Sequence, residues 1–156
     1  MRALDPEPSG IAVDEEAIRD WRPAQPLERH YSGGHLTALA ADELFFTARG
    51  VYFGNTIGWG GIGPDFWLVY RRLEMDYLAE AFVGEPLRTG VRTMGRSCRS
   101  LRVQQVLQSV NDVPRTIAVA RLIVVAFDVD RRTSVELPDG LWRAIEAFEG
   151  PIVTAS

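Results

Sequence analysis

Gly33-Gly34-His35-Leu36-Thr37-Ala38-Leu39-Ala40-Ala41-Asp42-Glu43-Leu44-Phe45-Phe46-Thr47-Ala48-Arg49-Gly50 reads as a helix, opened by a glycine turn and closed by Gly50. Leu36, Leu39, Ala40, Ala41, Leu44, Phe45 and Phe46 fall on nearly every side of it. A helix apolar all round is normally surrounded by other structure, so this one is expected at the centre of the fold. Residues 51–65 carry five glycines, including the run Gly58-Trp59-Gly60-Gly61, and read as a loop.

After that loop the period changes. Leu73, Met75, Tyr77 and Ala79 alternate with Arg72, Glu74, Asp76 and Leu78, which predicts a long strand over 66–81. Gly84-Glu85-Pro86 turns the chain, and Leu87, Thr89, Val91 and Thr93 alternate with Arg88, Gly90, Arg92 and Met94 in a second strand. A third spans 99–109, with a bulge expected near Gln104-Gln105. Asn111-Asp112-Val113-Pro114 makes a hairpin turn. Residues 116–129 are almost unbroken Ala, Val, Ile and Leu, the pattern of a central strand covered on both faces. Pro138-Asp139 starts a short helix with Leu141, Ile145 and Phe148 on one side. The order predicts an α+β domain, an antiparallel sheet wrapped around a central helix. Residues 1–25 read as a tail with a short helix from Asp14 to Trp21, and 26–150 as the domain.

Composition narrows the chemistry. The chain has 156 residues, 46% hydrophobic, with a net charge of −4, enough for one core without disulfides. An acidic chain with no basic run is a poor partner for nucleic acid. No stretch approaches the roughly 18 apolar residues of a membrane span, and the first ten residues lack the apolar centre of a signal peptide. The single Cys98 can make no internal disulfide, so the cytoplasm is the expected compartment. All 17 basic residues are arginine, which excludes lysine Schiff bases and the P-loop lysine. Arginine suits bidentate contact with phosphate instead. No Gly-x-Ser-x-Gly elbow is present, and His30 and His35 lack further ligands for zinc. Cys98 reads as incidental, and Trp59, Trp67 and the Phe45-Phe46 pair read as core.

Several motifs, in order, resemble the hotdog thioesterase superfamily over residues 30–148. Val69-Tyr70-Arg71-Arg72-Leu73-Glu74-Met75-Asp76-Tyr77, followed by Gly84-Glu85-Pro86-Leu87, is similar to the superfamily's strand, turn and strand. Gly95-Arg96-Ser97 resembles its Gly-Arg/Lys-Ser hairpin. Val135-Glu136-Leu137-Pro138-Asp139 is similar to the tail of the 4-hydroxybenzoyl-CoA thioesterases. Gly33-Gly34-His35 with Leu39-Ala40-Ala41-Asp42 resembles the helix of phenylacetate-type thioesterases, where the Asp is the catalytic acid. Gly34-His35-Leu36-Thr37-Ala38 is also similar to an element of the actinobacterial type III fatty acyl-CoA thioesterases, which work with Tyr and Asn. Thr37 stands where that Asn would be, and Tyr31 is available as the tyrosine.

The resemblance implies hydrolysis of an acyl-CoA or acyl-carrier-protein thioester. Coenzyme A or phosphopantetheine would come only as part of the substrate, with no other cofactor. It also implies a homodimer or homotetramer, because such sheets pair edge to edge. Asp42 is the preferred catalytic residue, as general base or nucleophile, with Glu43 the alternate one position on. Tyr31 and His35 are further candidates. The backbone N–H groups of Gly34 and His35, at the expected helix start, are candidate oxyanion donors. Thr37, Arg49, Arg96 and Arg99 are candidate substrate contacts, the last two within the set Arg88, Arg92, Arg96, Arg99 and Arg102.

His35, Asp42 and Arg49 are spaced by seven and would form one helical stripe, either solvated and paired or facing a thioester. Two other readings stay open. His30-Tyr31-Ser32-Gly33 with Glu43 faintly resembles the acyl-carrier dehydratases of the same fold, and the chain could bind an acyl group without catalysis.

Overall fold

The structure, a computed structural model, describes residues 10–58 and 65–152. The elements are β1 (Asp20–Ala24), β2 (Tyr31–Ser32), β3 (His35–Leu36), α1 (Ala38–Ile57), β4 (Trp67–Tyr77), β5 (Leu87–Arg96), β6 (Ser100–Ser109), β7 (Arg115–Asp128), β8 (Thr133–Ser134) and α2 (Asp139–Glu149). One antiparallel sheet runs in the order β1-β5-β6-β7-β4, with β8 beside the end of β7. It curls around α1, as the sequence pattern requires.

Burial explains the order. β7 is apolar on both faces and lies between β6 and β4. On one face Ile117, Leu122 and Val124 join Val91, Leu101, Val103 and Leu107 against Ala41, Leu44, Phe45, Tyr52 and Phe53 of α1. On the other face Val106 and Val119 are covered by Ile11 and Ile18 from the N-terminal segment. Gln104 Nε2 ties that segment down by donating to Ala12 O. Gly90 makes room for it, since a Cβ there would sit 2.9 Å from both Ile18 Cγ2 and Trp21 Cζ3.

Several expectations are corrected. The stretch from Asp14 to Trp21 holds only a single 3-10 turn, Glu15–Ala17, before β1 takes over. Pro23 is compatible with β1 because that strand is an edge of the sheet. The bulge expected at Gln104-Gln105 lies elsewhere, with register shifts at Tyr70/Arg72, Thr93/Gly95 and Leu107/Gln108.

The helix is displaced along the chain. Gly33 and Gly34 have φ of 59° and 83°, and form the two-residue turn between β2 and β3 rather than a helix start. The helix begins at Ala38, with Thr37 as N-cap: its Oγ1 accepts from Ala40 N at 3.1 Å. It runs through Gly50 and Gly54 and stops at Gly58, φ 89°. Interior glycine is unfavourable by about 1 kcal/mol relative to alanine. Burial of Tyr52 and Phe53 beyond Gly50 outweighs that preference.

α2 closes the open end of the core with Leu141, Trp142 and Ile145. Tyr52 OH donates to Glu149 Oε1 and lies 2.8 Å from Thr93 Oγ1, joining α1, α2 and β5. No helix among the described residues is long and apolar enough to cross a membrane. Trp59, Gly60 and Gly61 lie outside the described residues.

Candidate functional site

The β2–β3 hairpin and the first turn of α1 meet at Thr37. Thr37 N–H donates to His30 O at 3.1 Å, Leu36 N–H to Ala81 O at 2.7 Å, and Tyr77 OH to Leu36 O at 2.6 Å. The start of α1 is therefore held from three sides. A helix leaves its first N–H groups without internal partners. Thr37 Oγ1 takes the Ala40 N–H, and Thr37 O takes the Ala41 N–H at 3.0 Å. Among the described residues, the Ala38 and Leu39 N–H groups are then the open donors of the first turn, at the positive end of the helix dipole. The premise that Gly34 and His35 supply the helix-start N–H groups is corrected: both precede α1, in the hairpin.

Asp42 lies one turn beyond Ala38, on the same side, and helical side chains lean back toward the N-terminus. Its Oδ1 is buried and has no hydrogen-bond partner among the described residues. Glu43, one residue on, is in the opposite situation. Both of its oxygens accept from the Arg29 guanidinium, and Oε2 is 3.0 Å from His30 Nε2. His30 Nδ1 accepts the Leu27 N–H at 2.8 Å, so Nε2 carries the proton and donates to Glu43. The Arg29 hydrogen bonds, with His30 assisting, hold the Glu43 carboxyl pKa at about 2. Such a carboxylate is a weak base.

The expected stripe of His35, Asp42 and Arg49 is reduced to Asp42 and Arg49, because His35 belongs to β3. The His35 ring lies tilted against Phe82, centroids 4.9 Å apart, with Nδ1 3.4 Å from Glu80 Oε2. Tyr31 is half-buried on β2, and burial, then the Glu85 charge, pushes its hydroxyl pKa up. It is a proton-bearing donor rather than a phenolate.

Arg49 is only 3% exposed. Nη1 donates to Gln105 Oε1 at 2.5 Å, and Gln105 Nε2 donates to Phe45 O at 2.9 Å. The guanidinium carbon sits 4.2 Å from the Tyr70 ring centroid and 5.8 Å from that of Phe46. Nη2 is buried without a partner among the described residues. Burial lowers its pKa to about 10, against the opposing field of Asp42. A cleft of about 420 Å³ beside it is lined by Phe46, Arg49, Phe53, Leu68, Tyr70 and Val124. Phe46 is 64% exposed and Trp67 38%, so among the described aromatics read as core only Phe45 is fully buried.

The strand arginines are dispersed rather than clustered. Arg88 covers the Trp21 ring, Arg92 is 3.9 Å from Asp14, and Arg96 covers the Trp142 ring. Arg99 donates to Ser134 O, and the Arg102 guanidinium lies over Gly95. Cys98 is exposed in the turn before β6. Among the described residues no group of three or more His, Cys, Asp or Glu could hold a metal ion.

Sequence reasoning missed Gln105, Arg29 and the bonded role of His30. Gln105 left a signal: two glutamines in an apolar strand require buried partners.

No protein-family model matches the chain. No curated protein matches it either. Solved structures do. A thioesterase of Thermus thermophilus, solved with coenzyme A and zinc, is 24% identical, with a TM-score of 0.75 over 88% of this chain and 99% of that one. Slr0204, a 1,4-dihydroxy-2-naphthoyl-CoA thioesterase of Synechocystis, is 18% identical, with a TM-score of 0.69 over 84% and 98%. SAV2348 of Staphylococcus aureus, solved with coenzyme A, is 10% identical, with a TM-score of 0.73 over 87% of each chain. The chain has the fold of the hotdog thioesterase superfamily.

Proposed function

We propose that this chain hydrolyses an acyl thioester, with Asp42 as general base. The observation that carries the reading is the buried, unpartnered Asp42 Oδ1, one turn beyond the open Ala38 and Leu39 N–H groups. Asp42 is half-buried, and a carboxylate not engaged by a cation can accept a proton from water. The water oxygen attacks the thioester carbonyl carbon while its proton passes to Asp42. The carbonyl oxygen becomes an oxyanion opposite the two N–H groups, and an oxyanion-hole donor is worth about 3–4 kcal/mol in enzymes generally. Collapse breaks the C–S bond, and the thiolate leaves with the proton that Asp42 held. Tyr31 supplies a hydroxyl donor on the hairpin beside this turn.

Coenzyme A is the preferred carrier, because structures of the same fold have been solved with it; an acyl carrier protein is the other. Arg96 and Arg99, with no lysine in the chain, are the proposed phosphate contacts. The sheet ends at β4, whose Trp67, Tyr70 and Leu73 are at least 38% exposed. Edge pairing of β4 between two copies would cover them, and sedimentation should show a dimer or tetramer.

The dehydratase alternative has its residues together, since His30 meets Glu43, but both are committed to a saturated network. A panel of acyl-CoA thioesters assayed for thiol release tests the proposal. Release is expected, and none from any member, with water added instead to an enoyl thioester, would reverse the assignment.

A further inference from the structure

The cleft beside Arg49 is built mostly of apolar side chains, which suits an alkyl chain, yet its charged member is a buried cation. Nη1 is satisfied by a neutral amide oxygen and the guanidinium face by two rings. Nη2 has no partner, and Asp42 acts on the charge only through space, without an ion pair among the described residues. A plain alkyl chain laid in this cleft would leave Nη2 without an acceptor. An acceptor oxygen on the chain would complete it, and a carboxylate would also balance the buried charge.

From this geometry we infer that the cleft selects acyl groups carrying a second carboxylate, the thioesters of dicarboxylic acids. The inference rests on the thioesterase reading and names its substrate class. Arg49 is then a specificity residue that touches the far end of the acyl group. The thioester end lies toward Ala38 and Asp42, earlier on the same helix. Tyr70 and Gln105 orient the guanidinium so that Nη2 is the nitrogen left for substrate.

The test compares adipoyl-CoA with hexanoyl-CoA, equal in chain length. Wild-type kcat/KM should favour adipoyl-CoA by at least about 10-fold, the scale of a hydrogen bond to a charged group. Arg49→Met should abolish the preference. Equal use of the two, a preference for hexanoyl-CoA, or equal use of adipoyl-CoA and a neutral 6-hydroxyhexanoyl-CoA would overturn the inference. Should Arg49→Met fail to fold, calorimetry of wild type with free adipate and free hexanoate decides. Adipate should bind and hexanoate should not; absence of adipate binding rejects the site. The two readings fail separately. Adipate binding without thiol release from any thioester sinks the hydrolase and keeps the cleft. Thiol release with no selectivity does the reverse.

Discussion

The two flanks of α1 differ in how their charges are treated. On the flank toward β1, Glu43 is gripped by Arg29 and His30, and His30 is fixed in turn by the Leu27 N–H. On the flank toward β4, Asp42 Oδ1 and Arg49 Nη2 are both buried and both unpartnered. Buried polar atoms are nearly always bonded, and each exception calls for an explanation. The saturated flank explains itself as a clamp that fixes the hairpin to the helix. The unsaturated flank needs atoms that the described residues do not supply, and water and an acyl thioester would provide them.

The sharpest way to break this contrast is Asp42→Asn. It keeps the shape and removes the base, so kcat for thiol release should fall by about 10²–10⁴ with the fold retained by circular dichroism. Gly90→Ala touches neither flank. Its Cβ would press on Ile18 and Trp21, and overpacking of this sort should lower stability by about 1–3 kcal/mol in urea denaturation. Thr37→Ala removes the cap of the helix start; stability should drop by about 1 kcal/mol, and KM should rise as the first turn loosens.

The paired flank also predicts a pH effect. The Glu43 pKa is depressed from 4.5 to about 2, mainly by Arg29. A depressed carboxylate stabilises the fold fully above its unfolded value, and that stabilisation is lost as pH falls through the folded one. The melting-temperature advantage of wild type over Glu43→Gln should therefore hold down to about pH 4.5 and disappear toward pH 2. An advantage that persists unchanged at pH 2 would mean the clamp does not depend on the Glu43 charge.

The strands were legible because each buries a face with period two, or both faces in β7, and such patterns are local. The helix limits were not. Gly33-Gly34 serves a hairpin as readily as a helix start, and Gly50 terminates a helix only when nothing beyond it is buried. Tyr52 and Phe53 are buried, and that is a tertiary fact. Asp42 and Glu43 are neighbours of like chemistry, and no local pattern separates them. What separates them is Arg29 and His30, more than a dozen residues upstream and carried onto Glu43 by the path of the hairpin. The resemblance pointed to Asp42; the geometry supplies a reason to prefer it over Glu43.

The most direct test of that preference measures thiol release by Asp42→Asn and Glu43→Gln in the same assay against wild type. The account predicts a loss of at least about 100-fold in the first and near wild-type turnover in the second. Full turnover by Asp42→Asn, or a larger loss in Glu43→Gln, would contradict it.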